Sequence, residues 1–506
     1  MKSSQRMKSS QHMKSSQRMK SSQRMKSSQR MESSQRMKSS QRMESSQRSN
    51  GVELELLKQQ RALNSDAITI SDPHLKTYAV VLTDMNLIKE CFVRNSEFTS
   101  ARIYSLIEKL DSFFESFWTP QYNIVGSSGK IWHDNRRRAL RAFRELGVGK
   151  NRLEELINIE SDYLMGAIST MQGTTKECFS YLFATATTNI ICQLNFALRF
   201  PYESKEFQSL YKGIRAVLDR KVVLNYQLLL PAWIRKLPGI RNQEVEDFLE
   251  GIKKCYDFAE SEMKMHQQMF KENSNDYDVY QEDCMLKMLV KHFESEPSPI
   301  SKAVTIAVLV DMFLAGTDTT STTLEWAVFF LSNHPDVQKI LKKEIDENIS
   351  TDSIVFSDME KLPLCHAFLL ETLRYSAVVP FSFPHVTTKD ISAGNYRFPK
   401  GTILISSAFC VQRDKNIFKN PDCFDINNFL ENGRVISSDS LVLFSIGPRI
   451  CIGEKIARME SFVFITNMVK RFTFTSKLPK HFVNEDDANV GIVRSPKHYE
   501  LSVAAD

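Results

Sequence analysis

Five groups of residues in this chain have types and spacings suited to chemistry. Cys451 stands just before a helical run, EKIARMESFVFITNMVKRF, where backbone N–H groups and the helix dipole favour a thiolate and can donate to it. In the surrounding FSIGPRICIG, Gly447 permits a tight bend stiffened by Pro448, Arg449 offers a planar cation for a carboxylate, Gly453 lets a flat ligand approach the backbone, and Phe444 can cover the sulfur. A lone cysteine is otherwise a small buried hydrophobe. Residues 301–333 read as one apolar helix of about 50 Å, interrupted by Ala315-Gly316-Thr317-Asp318-Thr319-Thr320. An acid and hydroxyls inside a buried helix are costly unless used or satisfied, and a threonine can satisfy itself on its own helix. Trp132 and Arg136 lie at i, i+4 and both donate, which suits an anion or a packed indole beside a solvated basic helix. Glu371 and Arg374, at i, i+3, form an ion pair that by itself reads as surface; His385 alone reads as a core or surface imidazole.

FSIGPRICIG fills every fixed position of F-x-x-G-x-R-x-C-x-G, and on it the chain resembles the cytochrome P450 family, from about residue 55 to residue 503. The resemblance implies a mainly α fold with small β-sheets, a long central helix over a haem, and a cysteine loop before a helix. It implies that Cys451 is the axial ligand of the iron of haem b, cradled by Phe444, Gly447, Arg449 and Gly453, and that Ala315 and Gly316 leave space above the iron. Thr319 with Asp318 would conduct protons. Trp132, Arg136, His385 and Arg449 would answer the two propionates, with Arg102 where many relatives carry a propionate-facing arginine. Glu371 and Arg374 would be a buried scaffold tied to NPDCFDINNFL (Asn420 to Leu430). There Ile426 and Asn428 replace the more usual Pro and Arg or His, so a weakened network is expected. The phrase GKIWHDNRRRALRAFRELGVGK resembles the animal microsomal branch that oxidises drugs, steroids and fatty acids.

The elements that must position these residues begin after an unusual tail. Residues 1–48 are eight copies of a hexapeptide, mostly MKSSQR, with 13 basic and 2 acidic residues; the other 458 carry 53 and 58. A period of six gives no amphipathic stripe and the tract is polar, so the tail is expected to be disordered, followed by a single domain over 49–506. The acidic balance of that domain argues against nucleic-acid binding through bulk charge. Nine cysteines, an odd number without CxxC pairs, argue against a disulfide framework and a zinc site, and fit a reducing compartment. Residues 67–92 read as short strands, a turn and a helix start, and 152–293 as helices. No uninterrupted apolar run of 18 residues predicts a transmembrane span. VVLNYQLLLPAWIRKLPGI, 222–240, suits either a membrane interface or a buried helix pair.

The resemblance implies a monooxygenase that inserts one atom of O2 into an apolar small molecule, with electrons from NADPH through a reductase, since the chain shows no GxGxxG after a strand. Arg137, Arg138 and Arg141 extend a basic surface that could dock an acidic donor, cytochrome b5 included. A monomer on the cytoplasmic side of the endoplasmic reticulum is expected. A peroxide isomerase or lyase, and a non-catalytic haem protein, stay open as alternatives. Substrate walls are expected at 103–118, 206–220, Phe313 to Thr319, Val379 to Phe383 and near Val490.

Overall fold

A computed structural model describes residues 52–63, 65–72, 77–103, 120–148, 151–171, 176–218, 237, 241–272, 284–295, 299–436, 439–477, 488–497 and 500–505. The repeat tail, the 103–118 wall beyond Ile103, and the 222–240 run apart from Leu237 lie outside them.

The helices are α1 (Val52–Leu63), α2 (Met85–Lys89), α3 (Ser96–Thr99), α4 (Gly129–Glu145), α5 (Asn151–Ser169), α6 (Lys176–Phe196), α7 (Lys205–Leu218), α8 (Gln243–Glu272), α9 (Met285–Ser295), α10 (Pro299–Asn333), α11 (Pro335–Asn348), α12 (Pro363–Ser376), α13 (Ala408–Val411) and α14 (Glu454–Arg471). Their boundaries follow local chemistry. Asp84 caps α2 by accepting from Leu87 N at 2.7 Å, and proline occupies the first turn of α11 and α12, where no N–H is needed. Helix α12 stops at Ala377, whose φ of 43° turns the chain out of the helix.

The strands are β1 (Ala67–Asp72), β2 (Thr77–Leu82), β3 (Ala101–Arg102), β4 (His385–Val386), β5 (Ile391–Ala393), β6 (Tyr396–Phe398), β7 (Ile403–Ser406), β8 (Leu430–Glu431), β9 (Arg434–Val435), β10 (Phe472–Ser476), β11 (Ala488–Val490), β12 (Arg494–Pro496) and β13 (Leu501–Ala505). The largest sheet runs β1-β2-β7-β4-β3, with β2 and β7 parallel and the other pairs antiparallel. Its register sets Arg102 directly opposite His385, from segments 283 positions apart.

Helix α10 is the spine, packed on α6, α8, α12 and α14. The stretch 302–333 is long and apolar enough to cross a membrane although polar residues interrupt it; 67% of its most apolar window is buried inside the protein, so it serves as a core helix. The apolar core around it includes Phe183, Phe313, Trp326, Phe330, Phe368 and Phe462. Gly316 belongs to this packing: a Cβ there would collide with the Ile191 side chain of α6, so its hydrogen lets the two helices approach. That is a second demand on a residue expected only to leave space above a cofactor.

Candidate active site

The cysteine loop is a tight hairpin before α14. Cys451 N donates to Phe444 O at 2.8 Å and Ile450 N to Gly447 O at 3.0 Å. Gly447 has φ +75°, and a Cβ on it would strike the Phe92 carbonyl oxygen, so no other residue fits. Ser445 adopts φ 62°, ψ −178°, a conformation nearly confined to glycine, and its buried hydroxyl has no partner. Such strain costs about 1–3 kcal/mol and is held by surrounding structure.

Cys451 is exposed as a residue, yet burial among protein atoms pushes its thiol pKa up; the N–H groups of Gly453 and Glu454 and the Arg136 cation pull the other way. An exposed residue whose thiol is enclosed by protein lies in a recess. A Cβ on Gly453 would stand 4.0 Å from it, so this glycine keeps the approach low. Phe444 is half-buried, with the Arg458 guanidinium 5.1 Å over its ring.

Above one edge of the recess, Trp132 and Arg136 project from one face of α4. Arg136 Nη2 donates to Ile450 O at 2.7 Å, in the cysteine loop. Trp132 is buried, carries the Arg449 guanidinium 3.9 Å over its ring, and has an Nε1–H with no partner. A buried donor left unmatched costs about 1–3 kcal/mol. Arg449 donates to Ser100 O, Ile124 O and Ser127 O at 2.6–3.0 Å, and burial with the nearby Arg102 and Arg136 depresses its pKa to about 8. Arg102 donates to Val125 O at 3.0 Å and to Phe383 O at 2.9 Å, and burial lowers its pKa to about 10. Three crowded arginines and an orphaned indole N–H fit an anionic group, and the propionates of a bound haem would meet that demand.

His385 is stacked on Phe92 at 4.0 Å, and its Nδ1 lies 2.7 Å from Thr99 O. A carbonyl only accepts, so Nδ1 carries the hydrogen and the neutral ring offers a lone pair at Nε2. Burial, then Arg102 and Arg449, push its pKa well below the ordinary value. The expected donation to a propionate therefore needs a second proton on this ring, which the propionate's own charge would favour.

Helix α10 turns Ala315 outward: it is exposed in the middle of a core helix, facing open space. Thr319 is half-buried and its Oγ1 donates to Ala315 O at 2.7 Å, the self-satisfied arrangement. Asp318 is buried and bound by Arg215 Nη1 of α7 at 3.0 Å. Acid and hydroxyl are adjacent in sequence, and their recorded hydrogen bonds go to other groups.

Glu371 and Arg374 are fully buried and paired twice at 2.7 Å. The remaining guanidinium hydrogens go to Gln412 O, Pro421 O and Cys423 O at 2.7–2.9 Å, which occupies all five donors. Glu371 Oε1 also accepts from Asp425 N at 2.7 Å and Asn428 Nδ2 at 3.2 Å; burial raises its pKa, and these bonds oppose that. Asn428 further joins Asn420 through both its amide atoms. The weakened network expected from Asn428 is instead complete, because one amide supplies the donor and the acceptor needed.

One site residue went unforeseen. Asp311 of α10 accepts from Asn123 Nδ2, Ile124 N and Val125 N, each at 2.8 Å, and so grips the loop whose carbonyls hold Arg449 and Arg102. Burial raises its pKa to about 7. A buried acid in an apolar helix was the available signal. Of the expected walls, α7 covers 205–218, Phe313 is buried and Phe383 is exposed.

The chain matches the family described as Cytochrome P450 over residues 73–503. It is 31% identical to cytochrome P450 2C20 of Macaca fascicularis over 83% of this chain and 84% of that protein. It is also 31% identical to cytochrome P450 2J2 of Homo sapiens (84% and 82%), and 30% identical to human cytochrome P450 2C8 (83% and 84%). The cysteine loop, the arginine-lined recess and these likenesses agree, and the chain belongs to the cytochrome P450 family: it is a haem-dependent monooxygenase that uses haem b, O2 and NADPH-derived electrons.

Proposed function

We propose that this monooxygenase oxidises apolar small molecules of the xenobiotic, steroid or fatty-acid class, with electrons delivered by an NADPH-dependent reductase and, in part, by cytochrome b5. Its place would be the cytoplasmic face of the endoplasmic reticulum membrane, as a monomer; the likeness to cytochromes P450 2C and 2J supports the assignment to this branch. Residues 222–240 would supply a peripheral contact, and the exposed arginines 137, 138 and 141 on α4 suit an acidic donor.

The haem thiolate, when bound, activates O2 for insertion into a C–H bond. The chain's own residues do the rest. Cys451 supplies the sulfur, and the Gly453 and Glu454 N–H groups and Arg136 temper its charge. Trp132, Arg136, Arg449 and a protonated His385 hold the propionates, and the Glu371–Arg374 pair secures the wall behind them. Thr319, half-buried beside exposed Ala315, orients a water, and Asp318 hands it protons.

The observation that carries the monooxygenase reading over peroxide rearrangement is the intact acid and hydroxyl at 318 and 319, which a rearranging enzyme does not need. Thr319→Ala tests it. Haem content and NADPH consumption should persist while electrons divert into hydrogen peroxide, since losing a proton-relay group costs about 10²- to 10⁴-fold in its step. Unchanged product per NADPH, with little peroxide, rejects the relay.

A further inference from the structure

We infer that Thr187 of α6 is a positioning residue for the ligand side of α10: its hydroxyl holds the Thr317 carbonyl and draws the Ala315–Thr319 turn back toward α6, which keeps room over the iron for a small ligand. The inference rests on the reading of that turn as facing the haem pocket and adds to it the group that sets the turn's position.

Three observations meet at this turn. The first is a set of hydrogen bonds between two core helices. Thr187 Oγ1 lies 2.9 Å from Thr317 O, with Phe183 O at 3.0 Å and Ala184 O at 3.3 Å on its own helix. A hydroxyl has one hydrogen to give, and the shortest of the three contacts is the one that crosses to α10. Thr188 donates to Thr317 Oγ1 at 3.1 Å, and Thr317 passes its own hydrogen to Phe313 O at 2.7 Å. All three threonines are fully buried. The second is the closeness of the two helices at the neighbouring residue. Ile191, one turn along α6 from Thr187, fills the place of a side chain at 316: a Cβ on Gly316 would stand 2.3 Å from Ile191 Cγ1. Helix α6 therefore meets α10 at two successive residues, 316 and 317. Residue 317 is about 200° around the helix from 315, so the grip is on the face opposite Ala315, which is exposed, and Thr319, which is half-buried.

The third is the state of the helical ladder at the same place. Ala315 O accepts from Thr319 Oγ1 at 2.7 Å, Asp318 O from Ser321 Oγ at 3.2 Å and Thr319 O from Thr323 Oγ1 at 3.0 Å. With Thr317 O, four of the five carbonyls from 315 to 319 take a hydroxyl. A hydroxyl on a helix carbonyl competes with the amide four residues on, loosens the ladder and tilts that carbonyl toward the donor. Three of these donors belong to α10 itself, so they soften the turn without moving it toward any neighbour. Thr187 is anchored in α6. It tilts the Thr317 carbonyl toward α6 and away from the side that Ala315 faces, and a softened turn follows such a pull. Without this bond the turn straightens into the open space beside Ala315, and a ligand over the iron loses room.

The experiment compares Thr187→Val, Thr187→Ser and Thr185→Val with the unaltered holoenzyme. The probe is carbon monoxide, read both as its equilibrium affinity for the reduced protein and as its C–O stretching frequency in the infrared, with the melting temperature of each variant alongside. Valine keeps the shape of threonine and removes only the hydroxyl, and serine restores the hydroxyl. Thr185 is equally buried, and its hydrogen bond, to Tyr181 O at 2.8 Å, stays within α6, so its replacement controls for the loss of a buried hydroxyl. A neutral hydrogen bond is worth about a 2- to 12-fold change in an equilibrium constant. Carbon monoxide should bind Thr187→Val more weakly by that factor and with a displaced stretching frequency, while Thr187→Ser and Thr185→Val match the unaltered protein. Where Thr187→Val does not retain haem, Thr187→Ala removes the same hydroxyl and carries the comparison. Unchanged affinity and frequency in the hydroxyl-free variant, whatever its melting temperature, or an equal displacement in Thr185→Val, overturns the inference. Thr319→Ala separates it from the reading beneath. If that variant moves the frequency and Thr187→Val does not, the turn faces the ligand and Thr187 is only structural; if neither moves it, the turn does not face the ligand and both fail.

Discussion

At the scale of single residues, the site is a set of donors arranged for a ligand with a negative edge. Trp132 shows this most simply, because its indole ring is fully used in packing against Arg449 while its N–H is buried and unmatched. Trp132→Phe should preserve the ring contact and remove only the donor. A hydrogen bond to a charged group contributes about 1.5–3 kcal/mol, so haem transfer from the variant to apomyoglobin should run on the order of 10- to 100-fold faster, with the fold's melting behaviour otherwise retained. Equal transfer rates would show that the indole N–H has no propionate partner. The legibility of this scale in the sequence followed from distance along the chain. Cys451 with its loop, and Trp132 with Arg136, are chemistry written within ten residues or one helical turn. Arg215 with Asp318, separated by 103 positions, is invisible to spacing. The protonation of His385 was hidden for the same reason, since it depends on Thr99 O, 286 positions away.

At the scale of elements, α10 carries three separate duties at different turns. Asp311 anchors the 123–127 loop, Gly316 admits Ile191, and Asp318 meets α7. Asp311 makes a pH-dependent contribution whose sign is set by its raised pKa. Unfolded, it titrates near 3.8, the ordinary value for an aspartate; folded, near 7. Between those values the folded protein binds the extra proton, so Asp311 contributes stability that is full at low pH and lost as pH rises through about 7. The urea midpoint of the holoenzyme should fall as pH rises through this window, and Asp311→Asn should remove that increment; an identical pH dependence in the variant would place the titration elsewhere. The sequence showed α10 itself, from its apolar length and the stop at Asn333-His334-Pro335, and the strand-turn-strand after residue 67. It could not show that Gly316 faces another helix, because glycine in AGTDTT reads as space until the neighbouring helix is placed. Nor could it show that Asn428 would complete the network around Glu371 and Arg374, whose partners are mostly main-chain carbonyls. Backbone positions leave no trace in residue type.

At the scale of the whole molecule, the chain divides by charge into a basic repeat of 48 residues and an acidic remainder of 458. The repeats lack the periodicity to build a core, so deleting them should leave haem content and melting temperature unchanged, because no apolar burial is lost. A clear drop in melting temperature on deletion would show that they pack against the domain. Everything else in the account turns on one bond, between the Cys451 sulfur and iron. The most direct test is the absorbance spectrum of the reduced protein under carbon monoxide, taken for the unaltered chain and for Cys451→His. The unaltered protein should show the strongly red-shifted Soret band of a thiolate ligand, and the variant, if it retains haem, the band of a histidine-ligated one. A histidine-type spectrum from the unaltered protein, or a red-shifted band that survives the substitution, would contradict the assignment.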